Sequence, residues 1–224
     1  MSFICSIHTR TTSLMTDLSH DFEQTLLSLD RLAARQLVTA AQNTYTPIEF
    51  VDQVIMKALT RIGEGWERGD IALSQVYMSG RICEELVDGL LPPGDAQRKD
   101  QPRMAIGVLE DYHLLGKRIV YSVLRAEGFD LKDYGRVTVD EVIAKVKEDH
   151  IRILLISTLM LHSALHVQDL VARLKAENLD VKVIVGGAPF LYDDQLWREV
   201  KADAMGRSAS DAAKLIRSLM GGLA

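Results

Sequence analysis

The chain has 224 residues, of which 47% are hydrophobic and 25% charged, and its net charge is −5. That length can bury a full apolar core without covalent staples, and the mild acidity lacks the basic face that a nucleic-acid partner needs. Two cysteines, Cys5 and Cys83, exclude a disulfide framework and fit a reducing compartment.

The length suits one or two domains. No apolar run reaches the roughly 18 residues of a membrane helix, and Met1 to Arg10 contains no signal-peptide core. A soluble cytoplasmic protein is therefore expected, with no membrane and no nucleic-acid partner. Residues 1–16 show no clear period and are expected to fray.

From residue 17 to 92 the apolar residues recur at helical spacing. Phe22, Leu26, Leu27 and Leu29 begin one helix, read as running through Leu32 or beyond. Phe50, Val51, Val54, Ile55, Ala58, Leu59 and Ile62 outline another, with Pro47 in its first turn and Thr46 placed to cap it. A third spans Ser74 to Leu91. With no strand-like alternation, about four helices in this stretch predict a small bundle. The run from Pro92 through Pro93, Gly94 and Asp95 to Pro102 reads as a linker, placed at residues 93–102.

From 103 to 224 short apolar runs alternate with helical patterns. Met104 to Leu109, Ile151 to Ile156 and Val181 to Val185 predict buried strands. Lys117 to Glu127, Val139 to Glu148 and Ser163 to Glu177 predict the helices between them, and Thr138 with Glu141 forms a capping box. Alternating strands and helices predict a parallel sheet covered on both faces, an α/β Rossmann-like or flavodoxin-like domain preceded by a four-helix-type bundle. Such sheets bind ligands at the carboxyl ends of their strands, where strand order reverses.

Three polar or glycine-bearing clusters directly follow the predicted strands. The first is Glu110-Asp111-Tyr112-His113-Leu114-Leu115-Gly116, the second Ser157-Thr158-Leu159 continuing to Ser163, and the third Gly186-Gly187-Ala188-Pro189. A histidine two residues after an aspartate can ligate a metal through one ring nitrogen while the carboxylate holds the other N–H. Gly116 removes a side chain where something bulky must pass or where the backbone needs positive φ. Taken alone, Asp-x-His-x-x-Gly reads equally well as a polar loop with a solvated histidine.

In order, Asp111-x-His113-x-x-Gly116, Ser157-x-Leu159, 26 intervening residues and Gly186-Gly187 resemble the cobalamin-binding signature. That family binds vitamin B12 base-off/His-on, with a protein histidine replacing the nucleotide tail on cobalt. The resemblance implies that His113 is the lower axial cobalt ligand and that Asp111 bonds to it. It also implies that Ser163 completes a His–Asp–Ser relay, that Ser157 contacts the tail, that Gly186 and Gly187 let the tail approach the backbone closely, and that Leu159 is among the cofactor-binding residues. Ala202 to Gly206 looks like the segment flanking the buried tail.

The bundle resembles the same family. Ile62 to Val76, centred on Gly63-Glu64-Gly65-Trp66, is similar to the cap that precedes the B12 domain in methionine synthase and in the corrinoid proteins of methyltransferase systems. The resemblance spans about residues 22–220. It implies that Trp66, Leu73, Val76 and Tyr77 cover the upper face of the corrin; from periodicity alone these four read as ordinary packing. Tyr112 and His162 could line the corrin edge. His162 and His166 lie four apart on a helix without an evident third ligand.

The implied function is a methyl carrier rather than a complete enzyme. One partner methyltransferase would load cobalt from a donor such as methanol, a methylamine or an aryl methyl ether, and another would unload it to a folate or thiol. A separate reductive activator and a hinge at the linker complete that expectation. The alternative is a cobalamin-dependent sensor acting through protein partners, or a plain storage module. Light-sensing relatives share Trp at position 66 and have Glu-His where this chain has Val76-Tyr77, which argues against the photoreceptor.

Overall fold

The computed structural model describes residues 18–91 and 101–223. The expectations for residues 1–16, for Cys5 and for most of the linker lie outside these residues. The chain divides into two compact units, Met1–Leu91 and Pro92–Ala224.

The first unit is helical throughout its described residues. Helix α1 covers 18–27, α2 Arg31–Ala41, α3 Pro47–Phe50 and α4 Met56–Glu67, with a π-helical turn, Val51–Ile55, joining α3 to α4; α5 is Leu73–Leu90. Phe22, Leu26, Phe50, Val54, Ile55, Ile62, Ile82 and Val87 are buried, and the Phe22 and Phe50 rings meet edge to face at 5.7 Å. Thr46 forms the expected capping box with Glu49. Buried Cys83, with Glu84 beside it, has its thiol pushed well above the usual range, first by desolvation and then by that carboxylate.

One boundary differs from expectation. The first helix does not run through Leu32; it stops at residue 27. Leu29 takes a left-handed φ of 60°, and Asp30 accepts the Ala33 N–H at 2.9 Å to start α2. An apolar residue at the left-handed position hides the break, because glycine is the residue that normally signals it. Asp30→Ala is expected to destabilise the protein by about 1 kcal/mol through loss of this cap. An unchanged urea midpoint would show that α2 does not depend on it.

The second unit holds a five-stranded parallel sheet in the order β2-β1-β3-β4-β5. The strands are β1 Met104–Leu109, β2 Leu131–Val137, β3 Ile153–Ser157, β4 Lys182–Gly186 and β5 Ala204–Gly206. Helices α6 Leu115–Ala126 and α12 Ala209–Leu223 supply the apolar layer that packs on Met104, Ile106, Leu155 and Ile184. On the other face α7 Val139–Asp149, α8 Leu161–Leu165, α9 Val167–Ala176, α10 Ala188–Tyr192 and α11 Leu196–Glu199 contribute to the layer around Ala105, Leu109, Leu154 and Val185. Successive strand residues thus feed opposite faces. Strand order reverses between β1 and β3, which is where a parallel sheet opens a ligand crevice.

Strands β2 and β5 were not among the predicted strands. No described helix is long and apolar enough to cross a membrane.

Candidate functional site

The three clusters leave the sheet on neighbouring strands at one height. Val108 of β1 pairs with Ser157 of β3, and Ser157 pairs with Gly186 of β4. The sheet's parallel register therefore gathers residues that are far apart in sequence.

Asp111 is the hub. Its side chain is buried, and its Oδ1 accepts the His113 backbone N–H at 3.1 Å and lies 2.6 Å from His113 Nδ1. Its Oδ2 accepts the backbone N–H groups of Leu159 at 2.8 Å and Met160 at 2.9 Å. The carboxylate thus ties the loop after β1 to the loop after β3. Burial alone would raise its pKa; the bonds to the His113 ring and to the amides of Met160, Leu159 and His113 outweigh it and hold the carboxyl at about 2. Asp111 is therefore ionised throughout the physiological range and favours a proton on Nδ1.

The His113 side chain is 54% exposed, and Nδ1 is its only ring atom with a hydrogen bond among the described residues. Nε2 is left as the free donor of a lone pair. Exposed Tyr112 lies beneath the Arg136 guanidinium, 3.5 Å from ring centroid to Cζ.

The glycines mark where the clusters abut. A Cβ on Gly116 would lie 3.4 Å from Ser157 Oγ. A Cβ on Gly187 would lie 1.8 Å from the Thr158 carbonyl oxygen, and Gly187 also has a φ of 117°. A Cβ on Gly186 would lie 3.2 Å from the Gly206 carbonyl. Gly187 is thus glycine on two counts, conformation and space. Leu159, Met160, Leu161 and Tyr192 leave large apolar side chains exposed on this part of the unit.

The expected relay through Ser163 is not formed. Ser163 is buried, and its hydroxyl donates to the Glu110 carbonyl at 3.0 Å rather than to Asp111. Oδ2 of Asp111 accepts two amides instead, and the single hydroxyl proton of Ser163 is given to Glu110.

Three further arrangements in this unit were not foreseen in the sequence. Thr158 Oγ1 is buried without a hydrogen-bond partner, beside Gly187. Lys117 is buried near the start of α6 and pairs with Asp133 of β2, which fixes the helix that follows the His113 loop. Glu110 pairs with His166, whose ring meets that of His162 at 4.3 Å between centroids. No three His, Cys, Asp or Glu side chains gather as a metal site among the described residues.

In the helical unit, Trp66 is 48% exposed and Leu73 and Tyr77 are 64% and 65% exposed, while Val76 is half-buried. Gly69, with a φ of 82°, makes the turn between α4 and α5 that brings Trp66 and the start of α5 to one corner. Gln75 secures that corner: its Oε1 accepts the Ala72 N–H and its Nε2 donates to the Leu27 carbonyl.

Two family models, each described as a B12 binding domain, match this chain, one over residues 104–216 and one over residues 18–90. Monomethylamine corrinoid protein 1 of Methanosarcina mazei is 34% identical over 186 residues, 78% of this chain and 84% of its own length. Dimethylamine corrinoid protein 3 of Methanosarcina acetivorans is 30% identical over 210 residues, 91% of this chain and 97% of its own length. Among solved structures, the Methanosarcina barkeri monomethylamine corrinoid protein superposes with a TM-score of 0.78 at 26% identity, covering 91% of this chain and 99% of that one.

Proposed function

The chain belongs to the family of B12-binding corrinoid proteins, and on that premise we propose that it binds a corrinoid base-off/His-on and carries a methyl group between partner methyltransferases. The observation that carries this reading is His113, anchored at Nδ1 by an ionised carboxylate and presenting Nε2 outward. The surrounding residues fit a corrinoid with an extended tail. Gly116 and Gly187 keep side chains out of the places where the three clusters meet, Gly186 does so against Gly206 of β5, and buried Thr158 Oγ1 offers an unclaimed polar atom beside Gly187.

In this reading Nε2 of His113 would give its lone pair to cobalt. Asp111 holds the Nδ1 proton, which fixes the tautomer and makes the imidazole a stronger ligand. Ser157, Leu159, Gly186 and Gly187 are assigned to the nucleotide tail, and Gly116 to its clearance. Ser163 is assigned to the support of the His113 loop through the Glu110 carbonyl. Trp66, Leu73, Val76 and Tyr77 are proposed, by resemblance, to cover the corrin. When bound, the corrinoid would supply the methyl-transfer chemistry.

The named relatives are a monomethylamine and a dimethylamine corrinoid protein, so a methylamine is the first donor to test. The methylation step needs a partner methyltransferase, and a reductive activator is proposed to keep the cobalt competent. The test is to offer the full chain an equal mixture of methylcobalamin and adenosylcobalamin, desalt, and record the visible spectrum. Retained methylcobalamin with a histidine-ligated spectrum is expected. Retention of adenosylcobalamin alone would favour a sensor, and retention of neither would overturn the reading.

A further inference from the structure

Glu110 is the residue between the end of β1 and Asp111, and its backbone is left-handed, with φ at 47°. Glycine adopts that conformation without cost and glutamate does not. Each polar group of this glutamate is nevertheless bonded. Its N–H donates to the Val137 carbonyl at 2.9 Å, and its carbonyl accepts the Ser163 hydroxyl at 3.0 Å. Its Oε1 accepts the Val139 N–H, in the first turn of α7, at 3.4 Å, and its Oε2 pairs with His166 Nδ1. The His166 ring sits at the junction of α8 and α9 and is backed by the edge-on ring of His162.

A half-exposed carboxylate–imidazole pair adds little stability by itself. Its place in the chain gives it another consequence. Glu110 joins β1 to the start of α7 and to the α8–α9 junction, and Asp111 follows directly. A shift of the Glu110 backbone would move Asp111 off three amides and turn His113 with it. The Glu110 side chain makes two bonds, to the Val139 N–H and to His166, that a glycine at this left-handed position could not make.

We propose that Glu110 and His166 form a second carboxylate–histidine pair that acts as a positioning device for the His113 loop, holding Asp111 and thereby the ring of His113 in their ligating orientation. The inference rests on the assignment of His113 as the cobalt ligand. Neither Glu110 nor His166 is assigned to the metal, so both are positioning residues.

The test uses the full chain loaded with cobalamin and reduced to the paramagnetic cobalt(II) state. With the protein's histidines labelled with 15N, an axial histidine splits each line of the electron paramagnetic resonance spectrum into two, whereas the cofactor's own unlabelled benzimidazole nitrogen splits it into three; the twofold splitting alone is scored. The variants are Glu110→Gly, which removes the clamp while relieving the backbone, and His166→Ala, which leaves Glu110 in place. Under conditions in which wild-type protein populates both forms, each variant is expected to lower the ratio of histidine-bound to histidine-free cobalt about tenfold, the lower end of the cost of losing an outer-shell partner. The double variant should fall no further, because the two residues act as one unit. His113→Ala is the control and should abolish the splitting. If the control behaves so while Glu110→Gly and His166→Ala keep the wild-type ratio, the positioning role is overturned and the ligand assignment stands. Splitting that persists in His113→Ala overturns both.

Discussion

His113→Ala is expected to remove the nitrogen ligand from bound cobalamin and to weaken cofactor retention about 100-fold, the upper end of the loss seen when a ligand merely loses its outer-shell partner. The apoprotein should stay within about 1 kcal/mol of wild type, the scale of one net hydrogen bond. That contrast follows from the hydrogen bonds of Asp111. Removing the ring leaves its Oδ1 with the backbone N–H of residue 113 and its Oδ2 with the amides of Leu159 and Met160. The buried carboxylate is therefore still satisfied, and the side chain that is lost was more than half exposed. Equilibrium dialysis against hydroxocobalamin reads the retention, and urea denaturation of the apoprotein reads the stability. Wild-type retention with a histidine-type spectrum would defeat the ligand assignment. Loss of retention together with a large loss of stability would mean that the ring holds the loop rather than the metal.

The elements easiest to read in the sequence are those whose surroundings are uniform. β1 lies between β2 and β3 under helices on both faces, and all six of its residues are buried, so Met104 to Leu109 reads as one unbroken apolar run. β2 is an edge strand with Leu-Lys-Asp-Tyr-Gly-Arg-Val, buried only at Leu131 and Val137, and it has neither the run nor a clean alternation. β5 is three residues long, too short to carry a period. The break at Leu29 was hidden because its left-handed residue is not glycine.

The site divides along the same line. The spacing of Asp111, His113 and Gly116 is local, and the Asp111–His113 contact that the resemblance implied lies within it. Hydrogen bonds across strands are not local. Ser163 bonds the Glu110 carbonyl, 53 residues away in the chain, and no local spacing in the sequence encodes that partner. The Glu110–His166 pair joins residues 56 apart and has no motif to announce it.

Gly187→Ala is expected to be the most disruptive small substitution in the α/β unit. Two costs add. At φ 117° and ψ 174° the backbone lies in a region that is essentially restricted to glycine, a strain of about 1–3 kcal/mol. The new methyl would sit 1.8 Å from the Thr158 carbonyl oxygen, far inside contact distance, so the backbone of one loop must retreat. Overpacking of that kind costs about 1–3 kcal/mol more. The neighbour cannot yield cheaply, because Thr158 is itself tied to the sheet through its N–H to the Gly186 carbonyl at 3.1 Å. A total loss of about 3 kcal/mol or more is expected from urea denaturation of the apoprotein, and a loss below about 1 kcal/mol would show that the loops part without strain. Binding supplies the second half of the argument. Retreat of either loop widens the seam between the second and third clusters, where the nucleotide tail is assigned. The folded fraction of the variant should therefore retain cobalamin less well than wild type, while cobinamide, which lacks the nucleotide, should bind both proteins alike. Equal losses for the two corrinoids would place the effect on the corrin rather than the tail, and undiminished cobalamin binding would mean that Gly187 serves the fold alone.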